Sequence, residues 1–138
     1  MLLVVDVNVV FSALIRRGNC FEIFEANKLF NKFEFIAPEF MTSELDKKID
    51  KIRLETQFSQ DELEKMLSFI KKQIVPISAS EFIDKLPEAL EINSKDAPYL
   101  ALAIKFSCPI FSGDKELKEQ TKVKVLSPRE LLDILEEA

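Results

Sequence analysis

Leu2-Leu3-Val4-Val5-Asp6-Val7-Asn8-Val9-Val10-Phe11-Ser12-Ala13-Leu14 is an apolar run interrupted by a single carboxylate. Leu2 to Val5 show no polar alternation, which is the pattern of a central parallel strand covered on both faces. A bare carboxylate is costly to bury and takes up a proton unless it is compensated. Asp6 is therefore expected at the exposed carboxyl edge of a sheet, either holding a cation there or capping the helix that follows.

The rest of the chain alternates in the same way. Val9 to Ile15 read as a short helix stopped by Arg16-Arg17-Gly18-Asn19, and Cys20 to Phe30 as an amphipathic helix through Phe21, Phe24, Leu29 and Phe30. Phe33, Phe35 and Ile36 form a second strand, and Pro38 opens a third helix with Met41, Leu45, Ile49 and Ile52 inside. Ser59-Gln60-Asp61-Glu62 is a capping box for a fourth helix to about Lys71, followed by a strand over Ile74 to Ile77. Ser78 or Ser80 caps a fifth helix through Phe82, Ile83, Leu86 and Leu90, which Pro87 kinks or splits. Asn93-Ser94-Lys95-Asp96 opens a sixth helix to Phe106, with Tyr99 and Leu100 facing inward. Pro109 to Ser112 and Val123 to Leu126 are strands, Lys115 to Glu119 a brief helical turn, and Ser127-Pro128 starts the last helix. Strands alternating with helices throughout imply a parallel sheet with helices on both faces.

The 138 residues, 47% apolar and 31% charged, match one ordinary globular domain. Met1 leads straight into the first strand without a basic leader, and no apolar run approaches the roughly 20 residues that span a bilayer, which favours a cytoplasmic protein. Cys20 and Cys108 lack metal-ligand or redox spacing and read as structural thiols. The chain has no histidine. That removes the usual general base and zinc ligand, so an enzyme built on this chain must work with carboxylates, lysines or a metal. A net charge of −5 opposes nucleic-acid binding unless the acids cluster around divalent cations, two of which would bring the chain close to neutrality.

The acids do cluster on this reading. In a parallel sheet all carboxyl ends share one edge. Asp6 and Asp114 each end a strand there, Glu44 lies in about the second turn of the helix leaving the second strand, and Asp96 lies in the first turn of the helix feeding the fourth. Open α/β sheets bind ligands at this edge, where the strand order reverses. For an order 3-2-1-4-5 that point lies between the strands ending in Asp6 and Asp114. An all-oxygen donor set suits Mg²⁺ or Mn²⁺ rather than Zn²⁺. The alternative is that each acid serves locally, as a cap, a turn residue or a solvated charge.

Val5-Asp6-Val7-Asn8-Val9-Val10-Phe11-Ser12-Ala13-Leu14 resembles the opening of PIN-domain nucleases. Ser43-Glu44-Leu45 falls where their glutamate does, Lys95-Asp96-Ala97 begins the helix carrying their third acid, and Ser112-Gly113-Asp114-Lys115-Glu116-Leu117 is similar to their segment closing the fourth strand. The resemblance covers the chain in length and element order. It implies a three-layer α/β/α fold, a five-stranded parallel sheet of order 3-2-1-4-5, and a single domain over residues 1–138. Val7 departs from the hydroxyl residue usual after the first acid, and Glu116 stands where a further Asp is common. Asn8 and Ser12 match the family as residues that orient Asp6 or a bound water, with Ser112 and Glu116 as further auxiliary candidates.

The resemblance also implies a function. It is that of a metal-dependent endoribonuclease, with Asp6, Glu44, Asp96 and Asp114 around one or two Mg²⁺ or Mn²⁺ ions, and a metal-activated water leaving 5′-phosphate and 3′-hydroxyl ends. Lys95, Lys115 and Lys118 are candidate phosphate contacts. The size resembles the toxin of a toxin-antitoxin pair, which implies a homodimer and an inhibitory antitoxin protein; an RNA-processing role is equally consistent. Two rivals remain at this point. A haloacid-dehalogenase-like phosphatase shares the strand-ending Asp and a Gly113-Asp114 segment, but has an acid where this chain has Asn8. A degenerate PIN fold would act as a binding module indifferent to Mg²⁺.

Overall fold

The structure, a computed structural model, describes residues 1–137. Its sheet has five parallel strands, β1 (Leu2–Val5), β2 (Glu34–Pro38), β3 (Ile74–Ile77), β4 (Ile110–Phe111) and β5 (Val125–Leu126), in the order β3-β2-β1-β4-β5. The expected fold class and strand order are both observed. Strand order reverses between β1 and β4, and the register there is tight: Val5 pairs with Phe111 and the Asp6 amide donates to the Phe111 carbonyl at 3.1 Å.

Helices α1 (Val7–Arg16), α2 (Gly18–Phe30), α3 (Met41–Glu55) and α4 (Gln60–Lys71) fill the two leftward crossovers, and α5 (Leu86–Ile92) and α6 (Ala97–Phe106) fill the rightward return. Right-handed crossovers put these two groups on opposite faces. Consistently, α1 contacts α2, α3 and α4, while α6 packs on α5 and on β1, β2 and β4. The short α7 (Lys115–Glu119) joins β4 to β5, and α8 (Pro128–Glu136) packs back on α2. Phe24 of α2 meets Phe35 of β2 and Phe111 of β4, with ring centroids 5.0 and 6.2 Å apart, and so ties one helical layer across the switch point. Among the described residues no helix is long and apolar enough to cross a membrane.

Several local expectations need correction. Helix α1 starts at Val7, directly after its cap Asp6, so the chain turns from strand to helix without a linker. Pro38 does not open a helix: it completes β2 opposite Ile77, α3 begins at Met41, and Glu44 therefore falls in its first turn rather than its second. Leu29 and Phe30 are exposed: the buried stripe of α2 runs through Cys20, Phe21, Ile23, Phe24 and Asn27, Leu29 lies on the opposite side of the helix, and Phe30 is the last residue of the helix. Pro87 does split the fifth helical segment. Ala79–Glu81 and Ile83–Lys85 are 3₁₀ turns ahead of α5, Ile83 and Leu90 are exposed, and neither Ser78 nor Ser80 caps: their hydroxyls bond each other at 3.1 Å. The capping box at Ser59 and Glu62 is present, and Ser127 and Glu130 form a second.

Asn27 is a buried polar residue that closes the turn into β2. Its Oδ1 accepts from the Phe33 amide at 2.7 Å and its Nδ2 donates to the Phe33 carbonyl at 3.0 Å, while Gln73 donates to the Phe24 carbonyl at 2.9 Å. Asn27→Ala leaves two buried backbone groups unpaired. It is expected to lower the unfolding free energy by about 2–4 kcal/mol, read as a lower urea midpoint at unchanged slope.

Candidate active site at the sheet edge

Asp6 is 2% exposed and ends the central strand. Its Oδ1 accepts the Asn8 amide at 3.2 Å, which caps α1, and its Oδ2 accepts the Ser112 hydroxyl at 2.8 Å. Helix capping and the sheet-edge position thus fall on the same carboxylate. Ser112 follows β4, and its Oγ in turn accepts the Asp114 amide at 3.0 Å, so one hydroxyl links the two strand ends. Asp114 repeats the arrangement of Asp6 by capping α7 through the amides of Glu116 and Leu117.

Asp96, 7% exposed, precedes α6 but its carboxylate does not cap that helix. Instead Asn93 Oδ1 accepts the amides of Lys95 and Asp96 at 2.9 and 3.3 Å, and this turn sets where the Asp96 side chain leaves the backbone. Glu44 reaches over the sheet from the other layer, and Tyr99 of α6 donates its hydroxyl to Glu44 Oε1 at 2.7 Å. Asp6, Glu44 and Asp96 line one pocket of about 380 Å³ together with Tyr99 and Lys95.

Burial pushes the Asp6 carboxyl above the usual carboxylate range; Asp114 adds to the rise, and the Ser112 and Asn8 donors and Lys95 oppose it. Asp96 is raised by burial, then by Asp6, Asp114 and Glu116, with Lys95 again opposing. The Tyr99 hydroxyl is raised by burial and by its bond to Glu44, which keeps it a donor. Asp114 thus acts as a like charge on both of these carboxyls, and Asp6 on that of Asp96.

The auxiliary candidates divide. Asn8 lines the pocket and Ser112 holds Asp6. Ser12 does not reach the site: it is exposed, and its hydroxyl bonds the Cys20 thiol in the first turn of α2. Glu116 is exposed and acts on Asp96 through its charge. Among the lysines, Lys95 lines the pocket, Lys115 is exposed beside Asp114, and Lys118 is committed elsewhere, donating to the Val125 carbonyl and pairing with Glu130 of the second capping box. Cys20 and Cys108 are free thiols raised by burial, Cys108 to about 11, as expected of structural cysteines. The sequence reading missed Tyr99, which looks like an ordinary inward aromatic. It also missed Lys48 and Lys51, which follow Glu44 at helical spacing and line the same pocket.

The PIN domain family model matches residues 4–131 of the chain. The chain belongs to the PIN domain family. Among curated proteins, none matches it in sequence. PIN domains are generally nucleases that act on RNA, and typically use divalent metals, which makes a ribonuclease-type hydrolase the general class of this chain.

The donor set of this PIN domain is compatible with such an ion. It offers carboxylate oxygens without histidine or thiolate, as hard cations prefer. Among the described residues no group of three or more Cys, Asp or Glu side chains is arranged to hold a metal ion by itself. That does not conflict with Mg²⁺, which commonly takes one or two carboxylates and completes its shell with water and substrate phosphate.

Ionising Asp96 without a cation works against the fold. Its folded-state pKa lies above the unperturbed 3.8, so the folded protein holds that proton more tightly than the unfolded chain. The penalty is absent below 3.8, grows as pH rises from there to the raised value, and is complete above it. In EDTA, Asp96→Asn is expected to melt at a higher temperature than the natural protein at about pH 7 and to lose that advantage at about pH 3, as measured by circular dichroism.

Proposed function

We propose that this PIN domain is a metal-dependent endoribonuclease in which Asp6, Glu44, Asp96 and Asp114 hold one or two Mg²⁺ or Mn²⁺ ions, directly or through water. The observation that supports the reading is the burial of Asp6 and Asp96 at one edge, where both line one pocket and both carboxyls are raised by that burial, with Asp114 adding to each rise and Lys95 opposing it. A bound divalent ion would lower the pKa of its water and stabilise charge on the scissile phosphate and the leaving oxygen.

The chain's own groups do the positioning. Ser112 and the Asn8 amide fix the Asp6 carboxylate, the Asn93 turn fixes Asp96, and Tyr99 occupies Glu44 Oε1 while leaving Oε2 without a protein donor among the described residues. Lys95, which lines the pocket with Asp6 and Asp96, would meet a phosphate oxygen on this reading. The products are 5′-phosphate and 3′-hydroxyl ends. We extend the proposal to a cytoplasmic single-domain protein that works as a homodimer, either as the toxin of a toxin-antitoxin pair held off by an antitoxin protein or as an RNA-processing nuclease. The genes beside it distinguish those roles.

The test is cleavage of a pool of single-stranded and structured RNA in Mn²⁺, Mg²⁺ or EDTA. Cutting is expected only with metal, and Asp6→Asn and Asp96→Asn are expected to abolish it. Metal-independent cutting, or variants as active as the natural protein, would overturn the mechanism; a pure, folded protein that binds RNA but never cuts would be a degenerate PIN module. Tyr99→Phe frees Glu44 Oε1 without changing shape and is expected to lower kcat/KM by about 10- to 100-fold, the usual cost of losing a group that orients a metal ligand.

A further inference from the structure

A second cavity lies at the edge of the sheet opposite the acids, where the chain enters β1, β2 and β3. It is about 640 Å³, larger than the 380 Å³ at the acidic edge and within the roughly 300–1,000 Å³ of small-molecule sites. Leu2, Glu34, Ile36 and Val75 line it. Side chains alternate across a strand, and the register sets Leu2 against Glu34 and Ile36 against Val75, so these four share one face of the sheet. Phe35, on the other face, meets Phe24 of α2. Helix α6 packs over β1, β2 and β4, and Val75 of β3 is left 58% exposed. Parallel strands are normally covered by helices on both faces; here the apolar floor of the cavity is open to solvent.

The walls are polar and cationic. Asn31 closes α2, and Gln73 precedes β3. Gln73 is held from behind, its Nε2 donating to the Phe24 carbonyl at 2.9 Å and its Oε1 accepting from Asn27 at 3.4 Å, so this wall is fixed before any ligand arrives. Lys28 and Lys72 also line the cavity, both exposed and neither with an ion-pair partner among the described residues. Both lie at helix C-termini, which favour lysine by themselves. The cavity that they flank and its bare floor are not explained that way. Glu34 is the one acid among the described residues of the lining.

We propose that this cavity binds a nucleoside monophosphate. The apolar floor suits the face of a base, while the side-chain amide of Asn31 and the second amide hydrogen of Gln73 offer hydrogen bonds to its edge. Glu34 can accept from sugar hydroxyls. Two lysines balance the roughly −1.5 to −2 charge of a phosphate monoester, and Glu34 opposes the further charge of a di- or triphosphate. An apolar protein segment on the same floor would leave both lysines unmatched. The site stands apart from the acids: Leu2 begins the four-residue strand that Asp6 follows, which sets the two roughly 13 Å apart along β1.

The test titrates adenosine 5′-monophosphate into the isotope-labelled full chain in EDTA and follows backbone amide shifts by NMR. Saturable shifts are expected at Asn31, Glu34, Gln73 and Val75, with a dissociation constant between about 10 μM and 1 mM. Joint Lys28→Gln and Lys72→Gln are expected to weaken binding by about 2- to 25-fold, the range of two exposed charge contacts. Val75→Ser, at an exposed position, is expected to weaken it by about 4-fold for each methyl group withdrawn from the ligand. Lys65→Gln, exposed on α4 and outside the cavity, is a control expected to change nothing.

Shifts confined to Asn8, Lys95 and Asp96 would place the nucleotide at the acids and overturn the site. Inorganic phosphate binding as tightly as the nucleotide would reduce the cavity to a bare anion contact, which also overturns it. So would the absence of saturable shifts, or unchanged affinity in cavity variants that melt as the natural protein does. None of these outcomes bears on the nuclease reading, which is tested by cleavage at the other edge.

Discussion

One buried carboxylate places a constraint on everything around it. Asp6 sits where the central strand ends, almost without solvent, and an uncompensated charge there would cost several kcal/mol. The fold answers with a hydroxyl and an amide. The amide comes from the turn into α1, two residues on; the hydroxyl comes from Ser112, and it arrives only because β4 lies directly beside β1 in the register that brings Phe111 against Val5. The reversal of strand order is thus what makes the acid tolerable as well as what opens the crevice beside it. Because Ser112 also receives the Asp114 amide, the second acid is positioned by the same hydroxyl that steadies the first.

The two helical layers meet over this edge at Tyr99 of α6. Its hydroxyl joins Glu44 of α3 at 2.7 Å, and its ring packs on Phe40 just ahead of α3, with centroids 5.6 Å apart. Tyrosine suits such a bridge because its ring is buried with the core of α6 while its hydroxyl reaches a carboxylate at the rim. The result is an acidic edge whose donors are Ser112, the Asn8 amide and Tyr99, with Lys95 on one side of the pocket and Lys48 and Lys51 of α3 on the other.

The parts of this arrangement that were readable in the sequence are those governed by local pattern. The apolar run before Asp6, the capping box at Ser59 and the alternation of strands and helices depend on neighbours in the chain, and they carry the strand order and with it the edge where Asp6, Glu44 and Asp96 line one pocket, Asp114 lying outside that lining. The parts that were not readable depend on partners far away. Tyr99 is separated from Glu44 by 55 residues and has the same spacing signature as a core aromatic. Lys118 resembles a phosphate contact until Glu130 is seen beside it, and Ser12 resembles a site residue until the rotation of α1 turns it toward Cys20. Pro38 misled for a different reason. A proline suits a first helical turn and the last residue of a strand equally, and only pairing with Ile77 decides.

Strands β4 and β5 contribute two residues each, and the helix between them contributes five. The acidic edge is therefore mechanically unequal. Asp6 ends a four-residue strand paired on both sides, whereas Ser112 and Asp114 hang from the thinnest part of the sheet. Two-residue ladders supply few hydrogen bonds, so burial holds this corner: Ile110 and Phe111 are 0% exposed and Ser112 2% exposed. The donor to Asp6 and the position of Asp114 therefore share one anchor, the packing of β4 in the core.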